Sequence, residues 1–235
     1  MRVGLLLCDD VAESLKDKHG SYPQMFATLF GSVDERIVIN VYPVIDGLYP
    51  ESIDECDAYV STGSRYSVND DAHWIAEFEA FIVRLNQLKK KFVGICFGHQ
   101  MMAKALGGEV VNSAKGWGIG VMSTAVKKRP TWMEGERERF ALVVSHSDQV
   151  TRMPPGAELI AGSEFCPCYM MQLGDHFLGI QGHPEFSKSY VRDLMLRRRE
   201  AISPQRVETG IVSLSSAVDD EWVTRNLLNF LRHRR

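Results

Sequence analysis

Four short apolar runs, "RVGLLL", "RIVINVY", "DAYVST" and "KFVGI", alternate with helical stretches from the N-terminus through Gly98. Parallel strands need long crossovers, and helices usually supply them, so this alternation leads to a parallel sheet covered on both faces by helices. The strongest helical signal runs over about 72–90, where Trp74, Ile75, Phe78, Phe81, Ile82, Leu85 and Leu88 recur at helical spacing. Asp70 or Asp71 stands where a cap belongs, and Lys89 and Lys90 complement the C-terminal dipole. Trp74 therefore reads as a core residue with no functional role.

Beyond Gly108 the runs shorten to "GEVVNS", "GIGVMSTAV", "RFALVVS", "AELIAGS", "CYMMQLG" and "HFLGIQG", with Gly174 and Asp175 supplying a tight bend between the last two. Some of these strands are expected to return to the sheet. From Ser187 the tail reads as a helix over about 190–199, a polar connection "SPQRVETG" and a last helix over 219–232. With no internal repeat or convincing linker, 235 residues suit a single domain, 1–235, with a full core.

A net charge of -3 gives no concentrated basic face, so neither nucleic acid nor an anionic membrane is an expected partner. The N-terminal apolar run meets two aspartates too soon for a signal peptide, and no run is long enough to span a membrane, so a cytoplasmic address is expected. Cys8, Cys56, Cys96, Cys166 and Cys168 are widely spread in a chain large enough to do without disulfides; reduced thiols are the default. "CPC" at 166–168 lacks the second half of a zinc site, so no metal is expected.

The stretch "KKKFVGICFGHQMMAKALGG" puts Cys96 on the turn between an apolar strand and a helix. Gly94 and Gly98 allow such a turn to be tight, and the pattern Gly-x-Cys-x-Gly resembles a nucleophile elbow. The helix N-terminus favours the thiolate, and the backbone N–H of Phe97 is placed for an oxyanion. A buried structural cysteine is the plainer alternative. A nucleophile also needs an oriented base, and "GIQGHPEFS" supplies His183 and Glu185 two apart across Pro184. Glu185 can accept the Nδ1 proton of His183 while Nε2 faces Cys96.

These two segments resemble the nucleophile and His-Pro-Glu motifs of class I, triad-type glutamine amidotransferase domains. "DAYVSTGSRYSVNDD" is similar to the family's oxyanion loop, and "VVSHSDQV" to its Ser-His-Gly-Asp segment. The resemblance spans a motif core at 60–186, leaving a helical C-terminal extension at 187–235. It implies a flavodoxin-like α/β fold: a central, mostly parallel sheet flanked by helices, with added short antiparallel strands. It further implies that Cys96, His183 and Glu185 are catalytic, with an oxyanion hole at Phe97 and at Gly63 or Ser64. Gln100 would hold the glutamyl group, Ser145, His146 and Ser147 are candidate substrate contacts beside Asp148, and no cofactor is needed.

Where many members read Gly-Gly-Pro, this chain reads Gly63, Ser64, Arg65 and then Tyr66, a form similar to the stand-alone branch of γ-glutamyl peptidases and free-standing GMP-synthase-like amidotransferases. Arg65 reads as a solvated loop charge or a clamp for a substrate carboxylate. Trp117 reads as packing between strands rather than lining the cleft. The function implied is hydrolysis of a small-molecule γ-glutamyl amide through a thioester. The alternatives are a glutaminase subunit passing ammonia to a separate synthetase, an inactive binding module, and another cysteine hydrolase using a different histidine.

Overall fold

The computed structural model describes residues 1–233; the last two residues of the C-terminal extension lie outside the described residues. Along the chain, strand β1 (Arg2–Leu6) leads through helices α1 (Glu13–His19) and α2 (Tyr22–Gly31) to β2 (Val38–Tyr42) and β3 (Ala58–Ser61). Helix α3 (His73–Gln87), β4 (Lys91–Ile95) and α4 (Phe97–Ala105) follow, then β5 (Glu109–Asn112), β6 (Gly118–Val126), β7 (Arg139–His146) and β8 (Asp148–Arg152). Strands β9 (Ala157–Gly162), β10 (Met170–Leu173) and β11 (Phe177–Ile180) precede helices α5 (Lys188–Arg197), α6 (Pro204–Ser213) and α7 (Asp220–Arg232).

One sheet runs in the order β2-β1-β3-β4-β11-β10-β9-β6-β7. The part from β2 to β11 is parallel, as the strand–helix alternation requires, and the rest is antiparallel, as short strands on tight turns allow. β5 and β8 form a separate antiparallel pair.

Alternation along each strand divides the core between the two faces. Val3, Leu5, Val60, Val93, Ile95 and Ile180 pack with Phe26 and Phe30 of α2 and Leu227 and Leu228 of α7. Leu6, Tyr59, Phe92 and Phe177 pack with Phe78, Ile82 and Leu85 of α3 and Met101 and Met102 of α4. Fully burying one such side chain is worth about 1.5–3 kcal/mol, so α3 is held by its apolar stripe.

Three local expectations need correction. α3 is capped at Ala72 without a side-chain bond, because Asp70 instead accepts the Ser67 N–H at 2.9 Å in the preceding turn. The connection "SPQRVETG" is helical: Ser203 precedes Pro204 at the first helical position, where its missing N–H costs nothing, and α6 continues to Ser213. Only Val207 and Gly210 of α6 are buried, which leaves too narrow an apolar stripe for its periodicity to show. Lastly, β8 continues the "VVSHSDQV" segment as a strand of its own.

Candidate active site

β4 delivers Cys96 and β11 delivers the chain toward His183. These strands are parallel neighbours, with Ile95 opposite Ile180, and the Cys96 N–H donates to the Ile180 carbonyl at 2.8 Å. Cys96 has φ 49° and ψ -95°, a conformation that non-glycine residues rarely take. The flanking glycines make it possible. A Cβ on Gly94 would stand 2.5 Å from the Gly98 backbone, and one on Gly98 only 1.7 Å from Ser61 Oγ. The elbow is a close approach of α4 to β3 and β4 that only glycine permits.

His183 lies beyond β11 and bridges to β7, its N–H donating to the Val143 carbonyl at 2.9 Å. Its Nδ1 meets Glu185 Oε1 at 2.7 Å, with both side chains almost fully buried. Phe186 stacks on the imidazole, ring centroids 4.0 Å apart and planes 5° from parallel, which fixes the ring orientation. A Cβ on Gly63 would stand 2.7 Å from His183 Cε1 and 3.6 Å from Cys96 Cβ, so the imidazole and the thiol converge on the same glycine. Burial pulls the His183 pKa down, but the Glu185 carboxylate and then the Cys96 sulfur outweigh it and hold the pKa up at about 10.

The loop after β3 is tied to the loop after β1. Ser64 Oγ donates to the Cys8 carbonyl at 3.1 Å, and the Arg65 N–H donates to buried Asp9 at 2.8 Å. The Arg65 guanidinium closes on the same carboxylate, Nη2 to Oδ1 at 2.5 Å and Nε at 2.9 and 3.0 Å. Arg65 is thus neither a solvated charge nor a free clamp; it locks the loop in place. Phe97 starts α4, where first-turn N–H groups have no intrahelical acceptor. Its ring stacks on Trp74 and Phe78 at 5.3 and 6.2 Å, so Trp74 packs as expected, directly behind the elbow.

Cys96 opens into a cavity of about 290 Å³ whose wall includes Ser64, Arg65, Gln100, Ser145, His146 and Ser147. Trp117 also lines it, which overturns the purely packing role expected from sequence. Gln100 uses its amide nitrogen on the Asp148 carbonyl at 2.8 Å and on Gln181 Oε1 at 3.2 Å. Gln181 in turn donates to Cys96 Sγ at 3.4 Å. Burial pushes the His146 pKa down to about 4, so its ring is neutral. Asp9, Gln181 and Arg198 were not singled out in the sequence. Of these only Gln181 carried a signal, its place at the end of the β11 run two residues before His183.

The match to the glutamine amidotransferase class-I family covers residues 60–200, and the chain belongs to that family. Gamma-glutamyl peptidase 3 of Arabidopsis thaliana is 33% identical over 204 residues, covering 83% of this chain and 81% of that protein. The glutamine-hydrolyzing subunit of GMP synthase from Sulfolobus acidocaldarius is 33% identical over 136 residues, covering 57% of this chain and 70% of that protein. A crystallised glutamine amidotransferase from Thermotoga maritima shares the fold, with a TM-score of 0.76 at 18% identity over 99% of this chain and 96% of that one.

Proposed function

We propose that this protein hydrolyses the γ-glutamyl amide bond of small γ-glutamyl compounds through a Cys96–His183–Glu185 triad and a γ-glutamyl thioester. The observation that carries this reading is the 2.7 Å Glu185–His183 bond, which orients an imidazole whose Cε1 edge converges with Cys96 on Gly63. In this scheme Cys96 Sγ attacks the side-chain amide carbon, and the negative oxygen is met by N–H groups of Phe97 and of Gly63 or Ser64. His183 gives its proton to the leaving nitrogen, the C–N bond breaks and the amine departs. Water then adds to the thioester while His183 takes its proton; the C–S bond breaks, glutamate leaves and the sulfur recovers its proton. Gln100, Ser145, His146 and Ser147 are assigned to substrate contacts because they wall the cavity onto which Cys96 opens.

The relatives support the substrate class: the similarity to gamma-glutamyl peptidase 3 reaches across most of both chains. Similarity to the glutamine-hydrolyzing subunit of GMP synthase, over a shorter stretch, favours a second reading in which ammonia passes to a separate synthetase. A cytoplasmic address fits five cysteines that are all free thiols; no helix among the described residues is long and apolar enough to cross a membrane.

The test is turnover by the purified chain alone, offered glutamine and γ-glutamyl dipeptides, with rapid-quench mass spectrometry for an acyl group on Cys96. Partner-free hydrolysis, abolished in Cys96→Ala, is the expected result. Activity that appears only with an added synthetase selects the second reading, and full activity in His183→Ala overturns the triad.

A further inference from the structure

Beside the Cys96 cavity lies a second one of about 460 Å³, bounded by the chain after β1, by Tyr22 of α2 and by Tyr190 and Leu194 of α5. The two cavities share Arg65 and Arg198. The charges of these arginines stand differently. Arg65 is closed onto Asp9 by three side-chain bonds. Arg198 follows the last turn of α5 and is partly buried; its Nη1 donates to Ser145 Oγ at 3.1 Å, and its guanidinium lies 5.7 Å from the centroid of the Trp117 ring. Among the described residues no carboxylate pairs with it. Of the acids on the second cavity, Asp9 holds Arg65, Asp10 holds Lys16 at 3.2 Å, and Glu200 is exposed.

Hydrolysis of glutamine releases only ammonia, which has no need of a second cavity. A cation at the junction, bonded to a neutral hydroxyl and stacked on an indole, is matched to an anion carried beyond the scissile nitrogen. Resting on the γ-glutamyl hydrolase reading, we propose that Arg198 determines leaving-group specificity: the preferred leaving group is an amine that bears a carboxylate, as an amino acid or short peptide does, and this carboxylate docks on the Arg198 guanidinium where the two cavities meet. Tyr22, Tyr190 and Leu194 then receive the rest of the leaving group.

The test is calorimetric binding of γ-glutamylglycine and its neutral amide, γ-glutamylglycinamide, to the Cys96→Ala protein, which needs no turnover. The acid is expected to bind at least about tenfold more tightly, the range of a charge-assisted hydrogen bond. Adding Arg198→Met should collapse that ratio toward one by weakening the acid alone, and Arg198→Lys should keep part of it. Should the methionine variant fail to fold, the lysine variant and Arg198→Gln carry the comparison. Equal binding of acid and amide, a ratio that survives removal of the guanidinium, a parallel loss for both ligands, or binding of neither overturns the assignment. A parallel loss would place Arg198 on the α-carboxylate that both ligands share. Wild-type protein that cleaves no γ-glutamyl compound, while Cys96→Ala still discriminates acid from amide, overturns the hydrolase reading and leaves the Arg198 site standing.

Discussion

At Cys96 the backbone is held in a conformation that costs about 1–3 kcal/mol, and the fold sustains it by surrounding the residue with glycines and β4–β11 hydrogen bonds. The imidazole that converges with it depends on Glu185. Burial lowers the His183 pKa while Glu185 and Cys96 raise it to about 10, so Glu185→Gln leaves burial in command and the imidazolium is lost at lower pH. Alkylation of Cys96 by iodoacetamide at neutral pH should then slow and its pH profile move upward. Hydrolysis should fall by about 100- to 10,000-fold. An unshifted profile would mean that Glu185 does not govern the ring. The same pair links to stability. Because the folded pKa is raised above the ordinary 6.5, its contribution is complete below about pH 6.5 and is lost as the pH rises through about 10. Melting temperatures over that window should decline more steeply in the wild type than in Glu185→Gln. Cys96, His183 and Glu185 were legible in the sequence because each sits in a short motif whose chemistry is local. Asp9 and Arg198 were not, since each acquires its partner only through tertiary packing, with Arg65 and Ser145 respectively.

Elements meet at the elbow more tightly than periodicity can convey. Gly98→Ala would drive its Cβ into Ser61 Oγ, and the loss of stability from such overpacking is about 1–3 kcal/mol or more. Ser61→Gly should restore much of it in the double variant, as read by denaturant midpoint; no rescue would locate the strain elsewhere. The helices of the extension show where sequence patterns work. Ser187 caps α5 by accepting the Tyr190 N–H at 3.1 Å, so Ser187→Ala should cost about 1 kcal/mol in the same measurement. α6 escaped notice because its pairing with β6 rests on Gly210, whose absent side chain admits Ile119 and Met195. A glycine contact of that kind leaves no apolar spacing to read.

Across the whole molecule, the alternation of strands and helices made the parallel half of the sheet legible, while strand order in the antiparallel half depends on pairings that no local signal encodes. The ends of β1 and β3 are coupled through Asp9, which fixes the loop carrying Gly63 and Ser64. Asp9→Asn keeps the volume and removes the charge, so exchange of the 63–66 amides with solvent should quicken and kcat should fall more than KM rises. Unchanged exchange would free the loop from this anchor. Cys96 follows directly on Ile95, and His183 comes shortly after Ile180, its opposite number in the β4–β11 ladder. Everything between these rungs is an excursion that returns to its starting point. Lineages can therefore lengthen or redecorate the stretch at 127–138, far along that excursion, without retuning the spacing between sulfur and ring.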